Sequence, residues 1–553
     1  MKKALLLLHL LALSLLFAES WTVLVYMAAD NNLAYNGRLN INEMESATQA
    51  AGLNLIVQAD FPDVGAKRYR IRQDQNPNQI TSPVLQNLGI IDSGDPQSLK
   101  DFILWGRNRY PADNYMLVIW AHGDSWYKSK WIAPDYDSGS VIGVANGELR
   151  QALMGTGLWD ILLFDACSMQ SIEVITEVAG FARFIVGSAD LVPATGFPYA
   201  EIIPLLAQSP PQVAAQIPDL YIDSYSPGGI NNPSQGYLTT TCSAISTLGL
   251  DDFLSSWKNF SRLLRDQPDT LFGIRQKLFE MNTGYADVDI RQMLTRLVEI
   301  DVPQAEELLN RWNNLVIASG YTLPYPETDI GTAAIWFPDI RFNYNAAWQH
   351  YMQLDFAHTG WLGVVNLCMG QPYPELDPPT LISSNIAIDR LLLRFAAPSS
   401  PDSLYYEITV NGVTHLLYPA AYSSEIDFST VVTESGSFRI IAIDQAGQES
   451  DALSGSFTIT DPDPIGMMVY PNPMRNVLAG NLLWKHPADA NQLAVSIYNI
   501  KGQRVLHKSY TNAIPQGQLP LIDLEGIAEL RRGIYFLRLH LQGKQYQCKL
   551  SIL

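Results

Sequence analysis

Cysteine is scarce in this chain: four in 553 residues, at Cys167, Cys242, Cys368 and Cys548. No CxxC pair occurs, which excludes a zinc ribbon or a dithiol redox motif, and four scattered thiols make no dense disulfide framework. Positive charge is also short. Lysine and arginine number 36 against 55 acidic residues, a formal net charge of −19. Such a surface repels phosphate backbones, so nucleic-acid binding through a basic face is excluded. No apolar run beyond the N-terminus approaches membrane-spanning length, so no transmembrane segment is expected in the mature chain. Short-period repeats are missing too. Hydrophobic residues at 47% and charged residues at 16% suit folded domains rather than extended disorder. The length asks for two to four of them.

What is present begins with an export signal. Lys2 and Lys3 precede an apolar run over 4–17 that ends at the small Ala18, so residues 1–18 read as a signal peptide. Strands and helices then alternate to about residue 340. Apolar, β-rich runs at 21–28 (WTVLVYMA), 53–59 (LNLIVQA), 115–121 (YMLVIWA), 160–165 (DILLFD), 183–188 (RFIVGS) and 332–337 (TAAIWF) predict six strands. Helical spacing falls at 40–51, 98–110, 147–154, 250–265 and 303–319. Continuous apolar strands are buried on both faces, which predicts a mostly parallel six-stranded sheet between helical layers: a three-layer α/β domain spanning 19–370.

The pattern changes near Gly370, where QPYPELDPP reads as a linker. Period-two runs at 391–395, 405–410 and 438–443, with an Asn411-Gly412 turn, predict an immunoglobulin- or fibronectin-like β-sandwich over 375–460. A second linker (DPDP, 461–464) precedes another β-rich block, a second small sandwich over 465–553.

Two strand ends carry chemistry. The third strand runs into Ala121-His122-Gly123 and the fourth into Asp165-Ala166-Cys167-Ser168. Open α/β sheets bind ligands beyond the carboxyl ends of their strands, so an imidazole and a thiol leaving neighbouring strands would face one cleft. Alone, a cysteine is more often an inert core residue, and a histidine more often a hydrogen-bonded structural one. The pairing gives both their weight. A helix expected over 168–179 would favour the Cys167 thiolate through its N-terminal partial charge. Gly123 would let the chain turn and leave its amide for an oxyanion. Asp160 and Asp165 invite a triad with a third acid. The DYDSG loop, with Asp135, Asp137 and Gly139, has carboxylates suited to calcium but lacks the twelve-position loop.

Together these residues resemble the clostripain family of cysteine peptidases, within the caspase-like fold clan. The resembling stretches are WTVLVYMAADNNL (21–33), MLVIWAHG (116–123), Asp135 to Asp137 before GELRQAL, ILLFDACSM (161–169) and GSADLVPATGFPY (187–199). The resemblance implies a caspase-like three-layer sandwich and a secreted thiol protease acting on polypeptide substrates. His122 and Cys167 would form a catalytic dyad with no third acid, and the amides of Gly123 and Cys167 the oxyanion hole. It further implies cleavage after Arg or Lys, with Asp165 and Asp190 as the S1 charge, although relatives often carry adjacent acids where this chain has Asp190 alone. No cofactor is required for the chemistry; calcium dependence occurs in the family, with Asp135 and Asp137 as the candidate ligands. Some members self-cleave, and Lys128, Lys130 and Arg150 are available between His122 and Cys167.

The last block resembles the type IX secretion sorting domain through YPNP (470–473), VSIYNIKGQRV (495–505) and RGIYFLRLHLQGKQYQCKLSIL (532–553). That implies export through the type IX machinery to the cell surface or medium. Two alternatives stand beside the peptidase reading: a gingipain-like or legumain-like enzyme with another P1 preference, and a catalytically inactive secreted adhesion or binding protein.

Overall fold

The computed structural model describes residues 20–552 apart from short stretches. The longest of these are 128–130, 323–328, 372–375, 399–403, 419–424, 445–448, 460–466, 471–480, 485–492 and 511–517. The signal peptide at 1–18, the candidate cleavage positions Lys128 and Lys130, and the 461–464 linker lie outside the described residues. The chain forms two compact units, the first of residues 1–374 with 445–447 and the second of the remainder.

The first unit is built on one sheet. In chain order its strands and small companions are β1 (Trp21–Ala28), β2 (Leu53–Phe61), β3 (Gly65–Arg70), β4 (Val84–Gly89), β5 (Asn114–Trp120), β6 (Trp131–Ile132), β7 (Ile142–Gly143), β8 (Trp159–Asp165), β9 (Ala182–Gly187), β10 (Thr241–Ser246), β11 (Asp287–Asp289), β12 (Val316–Tyr321) and β13 (Ala334–Trp336). Nine of them form the sheet, in the order β12-β10-β9-β8-β5-β1-β2-β3-β4. The central ladders β2-β1, β1-β5, β5-β8 and β8-β9 are parallel. The outer pairings at both ends are antiparallel.

Strand chemistry explains the layers. Every residue of β1 is buried, and its side chains alternate between two cores, as period-two geometry requires. Leu24, Tyr26 and Ala28 join one core with Leu117, Ile119, Leu162 and Phe164. Val23, Val25 and Met27 join the other with Met116, Val118, Ile161 and Leu163. The helix Pro96–Arg109 packs Leu99 and Phe102 into the first core. The helices Ala34–Ser46 and Pro210–Tyr225 pack Ile41, Met44, Val213 and Ile217 into the second. The architecture is the three-layer α/β sandwich expected.

Five of the six predicted strands are the five parallel ones. The sixth is not in the large sheet: only Ala334–Trp336 is extended, and it pairs antiparallel with β11 in a two-stranded sheet of its own. Its place at that edge is taken by β12, which pairs with β10. Of the four strands beyond prediction, β3 (GAKRYR) and β10 (TCSAIS) have no continuous apolar run, and β12 (VIASGY) begins within the helix expected over 303–319, which ends at Leu315.

In the second unit, three-stranded and four-stranded antiparallel sheets enclose a core with Leu391, Leu393, Tyr406, Ile408, Phe438 and Ile440. A further three-stranded and four-stranded set encloses a core with Val469, Leu482, Val495, Ile497, Leu537 and Leu550.

Candidate active site

The parallel register decides where the imidazole and the thiol emerge. Trp120 at the end of β5 is paired with Asp165 at the end of β8. His122 and Cys167 each follow two residues later, so they leave the sheet at the same rim. The chains stay tied past the strands, the Ala121 amide donating to the Asp165 carbonyl at 3.1 Å. Both residues line one cavity of about 240 Å³, with Asn32, Trp120, Asp165, Val192, Pro193 and Gly196 among its walls.

Gly123 is required by close approach rather than by a turn. A Cβ there would lie 2.7 Å from the Cys167 carbonyl oxygen and 2.8 Å from Ala166 Cβ. The backbone after His122 therefore rests directly on the Cys167 turn. Neither the Gly123 nor the Cys167 amide donates to another of the described residues.

The thiol is held by Val192, in the 187–199 stretch singled out above, although no role was expected of that residue. Cys167 Sγ accepts from the Val192 amide at 3.2 Å and lies 3.6 Å from the Val192 carbonyl. Burial pushes the thiol pKa up; the Val192 amide opposes this, and the carboxylates Asp124, Asp165 and Asp190 add to the rise. The expectation of a helix-stabilised thiolate is corrected here. The following helix is Ile172–Val178, capped by the Ser171 side chain, which accepts from Val174 N. Residues 168–171 separate it from Cys167, so the thiol does not directly precede the first helical turn. Burial also lowers the His122 pKa. Both shifts favour a neutral thiol beside a neutral imidazole.

On the His122 side, Nε2 lies 2.7 Å from Asn32 Oδ1, in the turn after β1. Asn32 belongs to the WTVLVYMAADNNL stretch (21–33), but no role at the site was expected of it. Asp165 is buried; its Oδ2 accepts from Tyr199 Oη at 2.7 Å and from Phe197 N at 3.3 Å. Desolvation raises its pKa to about 6, against those two bonds. Gly196 lets the loop pass over it, since a Cβ at this φ of +71° would lie 2.7 Å from Oδ2. Asp190 lies outside the cavity lining. It is fully buried under the loop, with Oδ1 accepting from Leu191 N at 2.7 Å and its carbonyl accepting from Ser168 N at 3.0 Å. Asp160 sits at the opposite end of β8, where Oδ2 accepts from Tyr115 N.

Asp135 belongs to a buried trio. Asp30, Asp60 and Asp135 each offer a carboxylate oxygen, and these lie within 4.8 Å of one another; Asp137 is outside the group. Asp135 is pinned by Ser93 and Ser138, whereas Asp60 Oδ2 is buried with no hydrogen bond to the described residues. Converging oxygens with one left over suit a hard divalent cation.

Known proteins resemble this chain in its first domain and at its C-terminal end. The clostripain family model matches residues 25–301, just over half of the chain, and the secretion system C-terminal sorting domain matches residues 468–553. The second match marks the chain for export. Among the described residues no helix is long and apolar enough to cross a membrane. Clostripain of Hathewaya histolytica is 27% identical over 217 residues, which span 33% of this chain and only 41% of that relative. An inactive zymogen C11 protease from Parabacteroides distasonis has a similar fold, with a TM-score of 0.50 at 23% identity over 62% of this chain and 98% of that one. A secreted C11 cysteine protease from Bacteroides thetaiotaomicron, solved with an irreversible peptide inhibitor, gives 0.49 at 23% identity over the same shares. With its matched core and its paired strand ends, this chain belongs to the clostripain family of cysteine proteases.

Proposed function

We propose that this chain is an exported cysteine endopeptidase that cleaves after arginine or lysine, with Cys167 as nucleophile and His122 as its proton carrier. The reading rests above all on the matched exit of those two residues from β5 and β8 into one cavity. Neutral His122 takes the thiol proton as the sulfur attacks the scissile carbonyl carbon. The carbonyl π electrons move to oxygen, and the amides of Gly123 and Cys167 receive that oxyanion. Collapse expels the amine with the proton from His122 and leaves a thioester. Water, deprotonated by His122, then releases the acid and returns the proton to sulfur.

Asp165 at the cavity wall supplies the charge that attracts a basic P1 side chain, and Asp190 sets the Leu191–Val192 wall from beneath. A buried carboxylate facing a guanidinium gives strong charge-assisted recognition. No cofactor enters the chemistry. Asp30, Asp60 and Asp135 would hold calcium, which would supply charge neutralisation beside the β1 turn and no catalytic step. Residues 1–18 act as signal peptide, 19–370 as the peptidase, 375–460 as a spacer sandwich and 465–553 as the type IX sorting domain.

The test is hydrolysis of a fluorogenic arginyl peptide by the full chain and its Cys167→Ala variant. Loss of turnover in the variant, with an arginyl chloromethylketone mapping to Cys167 in the parent, is expected. Undiminished turnover, or an unlabelled thiol in an inert parent, would refute the peptidase reading in favour of a binding protein.

A further inference from the structure

His122 and Cys167 account for a dyad, and a dyad by itself does not say what orients the imidazole. Here the ring is not left to orient itself. Its Nε2 lies 2.7 Å from Asn32 Oδ1, within the range of a good hydrogen bond. We infer that Asn32 is the positioning residue of this site: its carboxamide oxygen holds the His122 ring in the Nε2–H tautomer, so that Nδ1 handles the proton of Cys167. This rests on the proposed role of His122 as proton carrier.

The chemistry of the contact fixes the tautomer. A carbonyl oxygen only accepts, so Nε2 must carry the proton of the neutral ring, and Nδ1 then bears the lone pair. A general base needs that lone pair facing the group it deprotonates, and Asn32 and Cys167 line the same cavity as the ring. The role resembles what an orienting acid does for a triad histidine, where the wrong tautomer removes catalysis with the geometry intact.

Asn32 itself is held firmly although its side chain is exposed. The neighbouring Asn31 is buried; its Nδ2 donates to the carbonyls of Ala28 at 2.9 Å and Pro134 at 3.0 Å, and its Oδ1 accepts from Leu33 N at 2.9 Å. These bonds fix the turn after β1. From the other side Tyr136 Oη donates to Asn32 Oδ1 at 3.2 Å, and the Tyr136 amide bonds the Asp30 carbonyl at 2.9 Å. A neutral amide suits a site in which burial already lowers the His122 pKa. A carboxylate at position 32 would stabilise the imidazolium and raise that pKa, leaving a poorer base near neutral pH. The titratable groups around the ring are Cys167 and Asp165 in the cavity, Tyr136 behind Asn32, and Asp124 two residues further along the chain.

The experiment uses the full-length protein with 15N-labelled histidine together with Asn32→Ala and Asn32→Asp. The His122 imidazole should appear as the Nε2–H tautomer in the parent, a readout independent of peptidase activity. Asn32→Ala should lower kcat about 10-fold to 100-fold, the scale of a misoriented general base, with KM within about twofold and an unchanged Tm. Asn32→Asp should restore much of that kcat at high pH, with the acid limb of the rate profile moved up by about one unit. A parent ring protonated at Nδ1, an Asn32→Ala kcat equal to the parent, or an Asn32→Asp profile that does not move would each overturn the inference. An inactive parent with an Nε2–H ring would instead count against the peptidase reading alone.

Discussion

The amide of Val192 donates to Cys167 Sγ at 3.2 Å, while the carbonyl of the same residue stands 3.6 Å from that sulfur. One main-chain unit thus grips the thiol from both sides. Burial is the largest influence on the thiol pKa and pushes it up; the Val192 amide pulls the other way. On the proposed reading Cys167 therefore rests as a thiol awaiting a base. Alkylation of Cys167 by iodoacetamide should rise through a midpoint above the ordinary cysteine value. Asp190→Asn, which keeps an acceptor for Leu191 N but removes a charge that raises the pKa, should move the midpoint down. A parent midpoint well below the ordinary value would mean a preformed thiolate–imidazolium pair and would contradict this account.

Asp165 allows a sharper statement about specificity. Its folded pKa is raised to about 6, chiefly by desolvation, so the carboxylate is ionised above pH 6 and neutral well below it. Recognition of an arginyl P1 residue should follow the ionised fraction: KM should climb as pH falls through about 6, while kcat follows His122. Asp165→Asn preserves an acceptor for Tyr199 Oη and Phe197 N but no charge. It should raise KM for arginyl substrates by about 10-fold to 100-fold, the worth of a charge-assisted hydrogen bond, and flatten KM against pH. Steady-state kinetics between pH 5 and 8 would check both, and an unaltered KM would remove Asp165 from the pocket.

What the sequence made legible follows from where apolar signal is strong. β1, β5 and β8 are buried on both faces and read as continuous hydrophobic runs, so their ends, and with them His122 and Cys167, could be placed from the order of residues alone. The outer antiparallel strands were harder to read because GAKRYR and TCSAIS lack a continuous hydrophobic run. The 332–337 run was apolar enough to read as a strand, yet Ala334–Trp336 is buried among helices and pairs with β11 instead. The partners of the site were harder still. Asn32, Val192 and Tyr199 act through the carboxamide, a main-chain amide and a phenol, delivered by turns whose positions depend on the finished sheet. The helix after Cys167 was read too early because Ser168 to Ser171 carry no breaker, although Ser168 has a φ of +59°.

Glu173 offers a test of the core that does not depend on catalysis. It is fully buried; Oε1 accepts from Trp336 N and Tyr351 Oη, both at 3.0 Å, and Oε2 has no hydrogen-bond partner among the described residues. Burial raises its pKa from 4.5 to about 8. A carboxyl raised on folding stabilises fully below its unfolded value, and that contribution is lost as pH rises through the folded value. The parent should therefore lose stability between about pH 5 and 8 partly through this group. Glu173→Gln keeps both accepted bonds and never ionises, so its unfolding free energy should depend less on pH over that window. Glu173→Ala loses the bonds and leaves a cavity, and should cost about 2–4 kcal/mol at pH 5. Denaturant titrations at the two pH values would measure these differences.

Within the trio of Asp30, Asp60 and Asp135, the first two answer to the same linkage with the opposite remedy. Asp60 is raised to about 7, by desolvation first and then by the charges of Asp135 and Asp30, and Asp30 is raised as well. In chelator, then, the stability from Asp60 is present at low pH and lost as pH climbs through about 7, where its ionisation sets a charge beside Asp135 and Asp30. A divalent cation should reverse that loss, because it binds the ionised folded form and not the unfolded chain. Millimolar calcium at pH 8 should raise Tm by a few degrees over the chelated protein and do little at pH 5, where Asp60 is protonated. Asp60→Asn should raise the chelated Tm at pH 8, since one repelling charge is gone, and should abolish the calcium shift. A calcium shift of equal size at pH 5 and pH 8, or one that survives Asp60→Asn, would place the ion elsewhere.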